Sequence, residues 1–184
     1  MRPEVDLDLE DVTPLQPGQI LADSVRQWRP DCQVGQFKIG STILRGSKID
    51  MEMVCCALFD GEFYGYKPQR WLGIVFIDPD GVLSSILFKT ESMDNFAELR
   101  RSYLLKGQSL LGKVITARMN KRTSMAKGKP YFAVEFEVAN EGKYAPAIIE
   151  LRKQLTRTAD VIQLIEHKKD KKDSDDEQEE RQVN

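Results

Sequence analysis

Histidine is almost absent from this chain of 184 residues, with His167 alone. One histidine gives no pair for acid–base catalysis and no set for a zinc site, which normally takes four ligands. Cysteine is scarce too: Cys32, Cys55 and Cys56 are all there is. Cys55 and Cys56 are neighbours, so on a strand they point to opposite faces and cannot share one metal in regular geometry. Free thiols in a reducing compartment are expected. No apolar run approaches the roughly 20 residues that cross a bilayer, and the N-terminus is acidic where a signal peptide is basic. A soluble, cytoplasmic chain with no membrane partner is therefore expected. Nucleophile elbows, catalytic Cys/His spacings and internal repeats are also missing.

Two near-motifs resolve into ordinary structure. The run 107–113, Gly-Gln-Ser-Leu-Leu-Gly-Lys, approaches a phosphate-binding loop, but Val114 stands where Ser or Thr must meet magnesium. Its context is also inverted, since it follows a helical pattern and enters a strand. Asp78 and Asp80 on a tight turn, and the carboxylates of 173–177, read as turn formers and solvated charge rather than metal ligands. No catalytic residue, metal or cofactor is expected, and the chain reads as a non-enzymatic binding protein.

What is present becomes clear once the charge is divided. The formal net charge is -2. Five acids against Arg2 in residues 1–12, and seven acids against three cations in 170–184, give each end about -4, leaving about +6 on the body between them. Residues 1–19 read as an acidic flexible arm, 20–167 as one domain with one core, and 168–184 as a disordered acidic tail.

Along the body, Arg29-Pro30-Asp31 reads as a turn, and 49–59 as a strand that alternates and then turns wholly apolar. Residues 71–77 and 82–88 read as strands joined through Asp78-Pro79-Asp80-Gly81. A helix over 91–106 follows, capped by Thr90, carrying Met93, Phe96, Leu99 and Tyr103 at helical spacing and stopped by Gly107. Two strands, 110–119 and 131–138, then make a hairpin. An apolar stripe over 146–167 reads as a C-terminal helix that packs on its own barrel or on a second protomer. This β-rich α+β order fits an OB-like five-stranded Greek-key barrel with one helix between strands 3 and 4 and an extra C-terminal helix. A meander sheet packed by two helices is the alternative.

The hairpin carries the binding expectation. Arg118, Lys121, Arg122, Lys127 and Lys129 crowd its tip without a carboxylate, and Tyr131 opens the second arm. A second cluster joins Phe63, Tyr64, Tyr66 and Trp71 with Lys67 and Arg70. Aromatic rings stack any base while cations hold phosphates, the combination used for single strands. Trp71 fits either an exposed platform or a core register. The proposed site is Tyr66, Lys67, Arg70, Trp71, Arg118, Lys121, Arg122, Lys127, Lys129 and Tyr131.

In layout the chain resembles single-stranded-DNA-binding proteins of the OB-fold type, over roughly residues 37–180: strands across 71–88, a helix at 91–106, the 118–132 hairpin and the acids of 170–180. The resemblance implies binding of single-stranded nucleic acid, DNA in the first instance, with a homo-oligomer and replication or repair proteins as further partners. One departure stands out. The bacterial family's tail ends in an apolar tip that docks enzymes, whereas this chain ends Glu180-Arg-Gln-Val-Asn184. Competition of the tail acids for the basic groove is still expected. The rival reading is a protein-interaction adaptor that uses the C-terminal helix and acidic termini.

Overall fold

The structure, a computed structural model, describes residues 25–124 and 128–152. The acidic arm, the tail, Lys127 and the helical stripe beyond 152 lie outside the described residues. The elements run β1 (Arg26–Asp31), β2 (Gln36–Ile39), β3 (Ile43–Leu44), β4 (Lys48–Gly61), β5 (Gln69–Ile77), β6 (Leu83–Phe88), α1 (Thr90–Leu104), β7 (Lys113–Thr123), β8 (Pro130–Glu141) and α2 (Ala145–Arg152). All eight strands belong to one sheet of order β3-β2-β1-β6-β5-β4-β7-β8. Every pairing is antiparallel except β1 with β6. The sheet curls into an open half-barrel: the Phe132 N–H on the last strand donates to the Cys32 carbonyl just past β1, at 2.9 Å. The β-rich α+β class expected from the sequence is what is found.

β4 explains why its pattern changes midway. Its first half pairs with β7 through Lys48–Glu52, and the longer stretch from Glu52 pairs with β5. The β4–β5 register shifts between Met53 and Cys55. Such a bulge inserts one residue and reverses the alternation of faces. Ile49, Met51 and Met53 enter one apolar cluster, Cys55, Ala57 and Phe59 the opposite one, and Cys56 and Leu58 pack back against the first. The single expected core is thus two clusters on opposite faces of one sheet. The larger holds Trp28, Phe76, Phe88 and Phe96 and packs Phe132 and Phe136; the smaller holds Trp71, Val75 and Ile148 of α2.

Three expectations need correction. Arg29-Pro30-Asp31 is not a turn but the end of β1; the turn follows, closed by the Gly35 N–H on the Asp31 carbonyl with Gly35 at φ 76°. Pro30 is tolerated because β6 pairs only with Arg26–Trp28 of β1, and its β2 partner Phe37 donates to the Gly46 carbonyl and accepts from the Arg45 N–H instead. Thr90 does not cap α1: it is the first helical residue, at φ 48°, and no side chain bonds the helix start. The cationic residues Arg118, Lys121 and Arg122 are not at a hairpin tip but inside β7, paired opposite Glu135, Phe132 and Tyr131.

The 78–81 turn does more than reverse the chain. Asp78 is buried, and its carboxylate accepts from the Asp80 and Val82 N–H groups, Arg26 Nη1, Trp28 Nε1 and Ser84 Oγ, at 2.8–3.2 Å. A buried charge survives only with such complete pairing. Because Arg26 and Trp28 sit on β1, this carboxylate anchors β1 beside β6. That anchoring carries Arg29–Asp31 past the end of the β6 pairing and into a cleft.

Candidate functional site

The cleft encloses about 410 Å³, between the end of β1, the β4–β5 loop, the β6–α1 junction and the start of β8. That volume suits one small ligand or one nucleotide unit. Its back wall is aromatic. Trp71 on β5 is only 2% exposed and donates Nε1–H to the Gly61 carbonyl at 3.0 Å. Phe63, Tyr64 and Tyr66 meet it edge to face, at centroid distances of 5.7, 6.0 and 6.1 Å. Gly61 must lack a side chain, because a Cβ there would stand 2.4 Å from the Phe63 ring. The loop reaches this shape through Tyr64 in the left-handed region at φ 56° and Gly65 at φ 73°. A left-handed tyrosine costs energy and persists only where its surroundings hold it.

Two cations lie on these rings. The Arg29 guanidinium carbon is 4.2 Å from the Tyr64 centroid, and Lys89 Nζ is 3.0 Å from that of Tyr66 and 5.7 Å from that of Trp71. Among the described residues neither cation has a carboxylate within ion-pair distance. Arg29 Nε is buried without a hydrogen-bond partner. Tyr64 is 38% exposed and Tyr66 45% exposed. Burial pushes the Tyr64 phenol up in pKa, and neighbouring Arg29 pulls the other way. Burial likewise raises the Cys32 thiol, with Lys89 opposing it. Lys89 leaves β6 in extended conformation immediately before left-handed Thr90, so among the described residues both non-glycines at positive φ flank this cleft.

The opposite wall is acidic but satisfied. Asp31 accepts from Lys38 and from the Gln33 and Val34 N–H groups, and the Lys38 bond above all holds its carboxyl below the usual range. Glu91 accepts from the Tyr131 hydroxyl at 2.6 Å and from Arg122 Nε at 3.0 Å; the Tyr131 bond is the chief reason its carboxyl is lowered and the Tyr131 phenol raised. Beside it, Ser92 Oγ accepts the Val134 N–H and Asn95 donates to the Val134 carbonyl, fastening α1 to β8.

The expected site residues divide accordingly. Tyr66 and Tyr131 line the cleft, and Trp71 is its buried wall. The platform reading of Trp71 is corrected: it belongs to the smaller core, with three aromatic residues packed on it. Lys67 and Arg70 are exposed in or beside the β4–β5 loop but outside the cleft lining. Arg118 pairs with Glu137, and Arg122 with Glu135 and Glu91. Lys121 and Lys129 are exposed along the hairpin. Arg29, Lys89 and Lys38 escaped the sequence reading. The Tyr64-Gly65-Tyr66 run was a visible signal for the loop, whereas nothing local marked Arg29 or Lys89 as its partners.

Among the described residues no cluster of His, Cys, Asp or Glu is placed to hold a metal ion, and no helix is long and apolar enough to cross a membrane. Comparison with protein-family models, curated proteins and solved structures returns no match.

Proposed function

We propose that the protein is a non-enzymatic binder of single-stranded nucleic acid, DNA in the first instance, and that the cleft is its principal contact. One observation carries this reading: two half-exposed tyrosines stand beside two cations that no described carboxylate neutralises. Stacking surface plus unspent positive charge is what a single strand needs, and it is indifferent to sequence. The adjacent strands support it. The run β6-β5-β4-β7-β8, with α1 between β6 and β7, has the strand order of an OB-like barrel in which β1 stands between the two closing edges. In that frame the β4–β5 loop and the β7–β8 tip are the ligand-binding loops, and the cleft lies at the first of them.

Fluorescence anisotropy with an oligonucleotide length series at two salt concentrations tests the reading. Binding that strengthens with length and weakens with salt is expected. Equal, salt-independent anisotropy across the series would reject it and favour the adaptor alternative.

A further inference from the structure

In the conformation observed the chain's own cations lie over the Tyr66 and Tyr64 rings, where a stacking base would compete with them. With Nζ 3.0 Å from the Tyr66 centroid and 5.7 Å from that of Trp71, Lys89 fills the notch between these two rings. Arg29 covers Tyr64 in the same way. We infer that the cleft takes one nucleotide unit by exchange: the backbone phosphate draws Lys89 and Arg29 off the tyrosines, and the base takes the ring face that Lys89 leaves. This inference rests on the single-strand reading above and specifies how its site is loaded.

A ring quadrupole holds a cation more weakly than a full negative charge does, so a phosphate entering the cleft outcompetes both tyrosines. No described carboxylate competes for either cation, whereas Lys38 and Arg122 nearby are already held by Asp31 and by Glu91 with Glu135. The backbone at the junction is fixed, with Lys89 extended and Ser92 and Asn95 of α1 fastened to β8, so the exchange requires only side-chain rotation. Before the ligand arrives, the cations lie over the aromatic wall, and neither the guanidinium nor the ammonium is paired with a described carboxylate. Buried Arg29 Nε, without a partner in this state, gains one when it turns to the phosphate.

Lysine-labelled protein read by NMR tests the exchange. In the free protein the Lys89 Cε–Hε signal, assigned by its loss in Lys89→Arg, should lie far upfield under the Tyr66 ring current. Tyr66→Leu should abolish that displacement and weaken binding of a short oligothymidylate roughly tenfold. Saturating wild type with the oligothymidylate should return the Lys89 signal to the ordinary lysine position, and Lys89→Gln should flatten the logarithmic salt slope by about 0.7. An oligothymidylate that binds by anisotropy while the Lys89 signal stays upfield overturns the exchange and leaves the single-strand reading standing. No binding by anisotropy overturns both.

Discussion

Two cationic regions of this molecule spend their charge differently. Along β7 and β8, Arg118 pairs with Glu137, diagonal to it, and Arg122 reaches along the same face to Glu135, which lies opposite Arg118. In the cleft, Arg29 and Lys89 lie on tyrosines with no described carboxylate within ion-pair distance. The hairpin's two arginines are held by carboxylates, whereas both cleft cations lie on rings. A count of lysines and arginines therefore misleads unless their partners across the sheet are known.

The sharpest way to separate the regions is to remove the wall of one. Trp71→Ala deletes a ring that is 2% exposed and supports Phe63, Tyr64 and Tyr66. A loss of about 3–5 kcal/mol in urea unfolding is expected. A variant that keeps wild-type stability would mean the cleft wall is not part of the core.

Charge removal comes next. Arg29→Ala with Lys89→Ala should reduce the logarithmic salt slope of single-strand binding by about 1.4, at about 0.7 for each phosphate contact. Arg118→Ala with Arg122→Ala should leave that slope nearly unchanged and cost the fold no more than about 1 kcal/mol, as exposed pairs do. The opposite ranking in parallel titrations would return the binding surface to the hairpin.

A smaller effect concerns the junction that presents Lys89. Thr90 is β-branched and at φ 48°, a conformation glycine adopts freely. Thr90→Gly should raise stability by about 1 kcal/mol, measured by thermal or urea unfolding, while loosening the aim of Lys89. Destabilisation would show that the Thr90 side chain contributes contacts that outweigh its backbone cost.

The smallest expected effect is a pH dependence at the acidic wall. The Glu91 carboxyl is held low, first by Tyr131 and then by Arg122. A carboxyl depressed in the folded state contributes stability above its unfolded value, near pH 4.3, and loses it as pH falls through the lower folded value. Wild type should therefore lose stability between about pH 5 and 3 more steeply than Glu91→Gln in paired urea titrations. Coincident pH profiles would show that Glu91 makes no net contribution to folding.

Much of the middle of the chain was legible. Strands at 71–77 and 82–88 and a helix over 91–106 match β5, β6 and α1 closely, because alternation, a Pro-Gly turn and a glycine stop are local signals. Gly107 does end the helix region at φ 65°, its N–H bonded to the Leu104 carbonyl. The N-terminal third was not legible. β1 to β3 are short, and β1 is held by a parallel pairing and by Asp78 fifty residues away, neither of which leaves a local pattern. The bulge at 53–55 hid the second core in the same way, since one inserted residue reverses faces without altering composition.

By itself the sequence determined the class of molecule: β-rich, basic in the body and acidic at both ends, and poor in histidine and cysteine. These follow from composition and short-range periodicity, which act wherever the chain goes. The tertiary structure alone decided which charges are available. Whether a cation faces a carboxylate or a ring depends on strand register and on how far the sheet curls, and those are set by contacts between residues distant in the chain. Arg29, Tyr64, Tyr66 and Lys89 come from three separate segments, and the pairings of β1 with β6 and of β5 with β6, with the Asp78 anchor, bring them to one cleft.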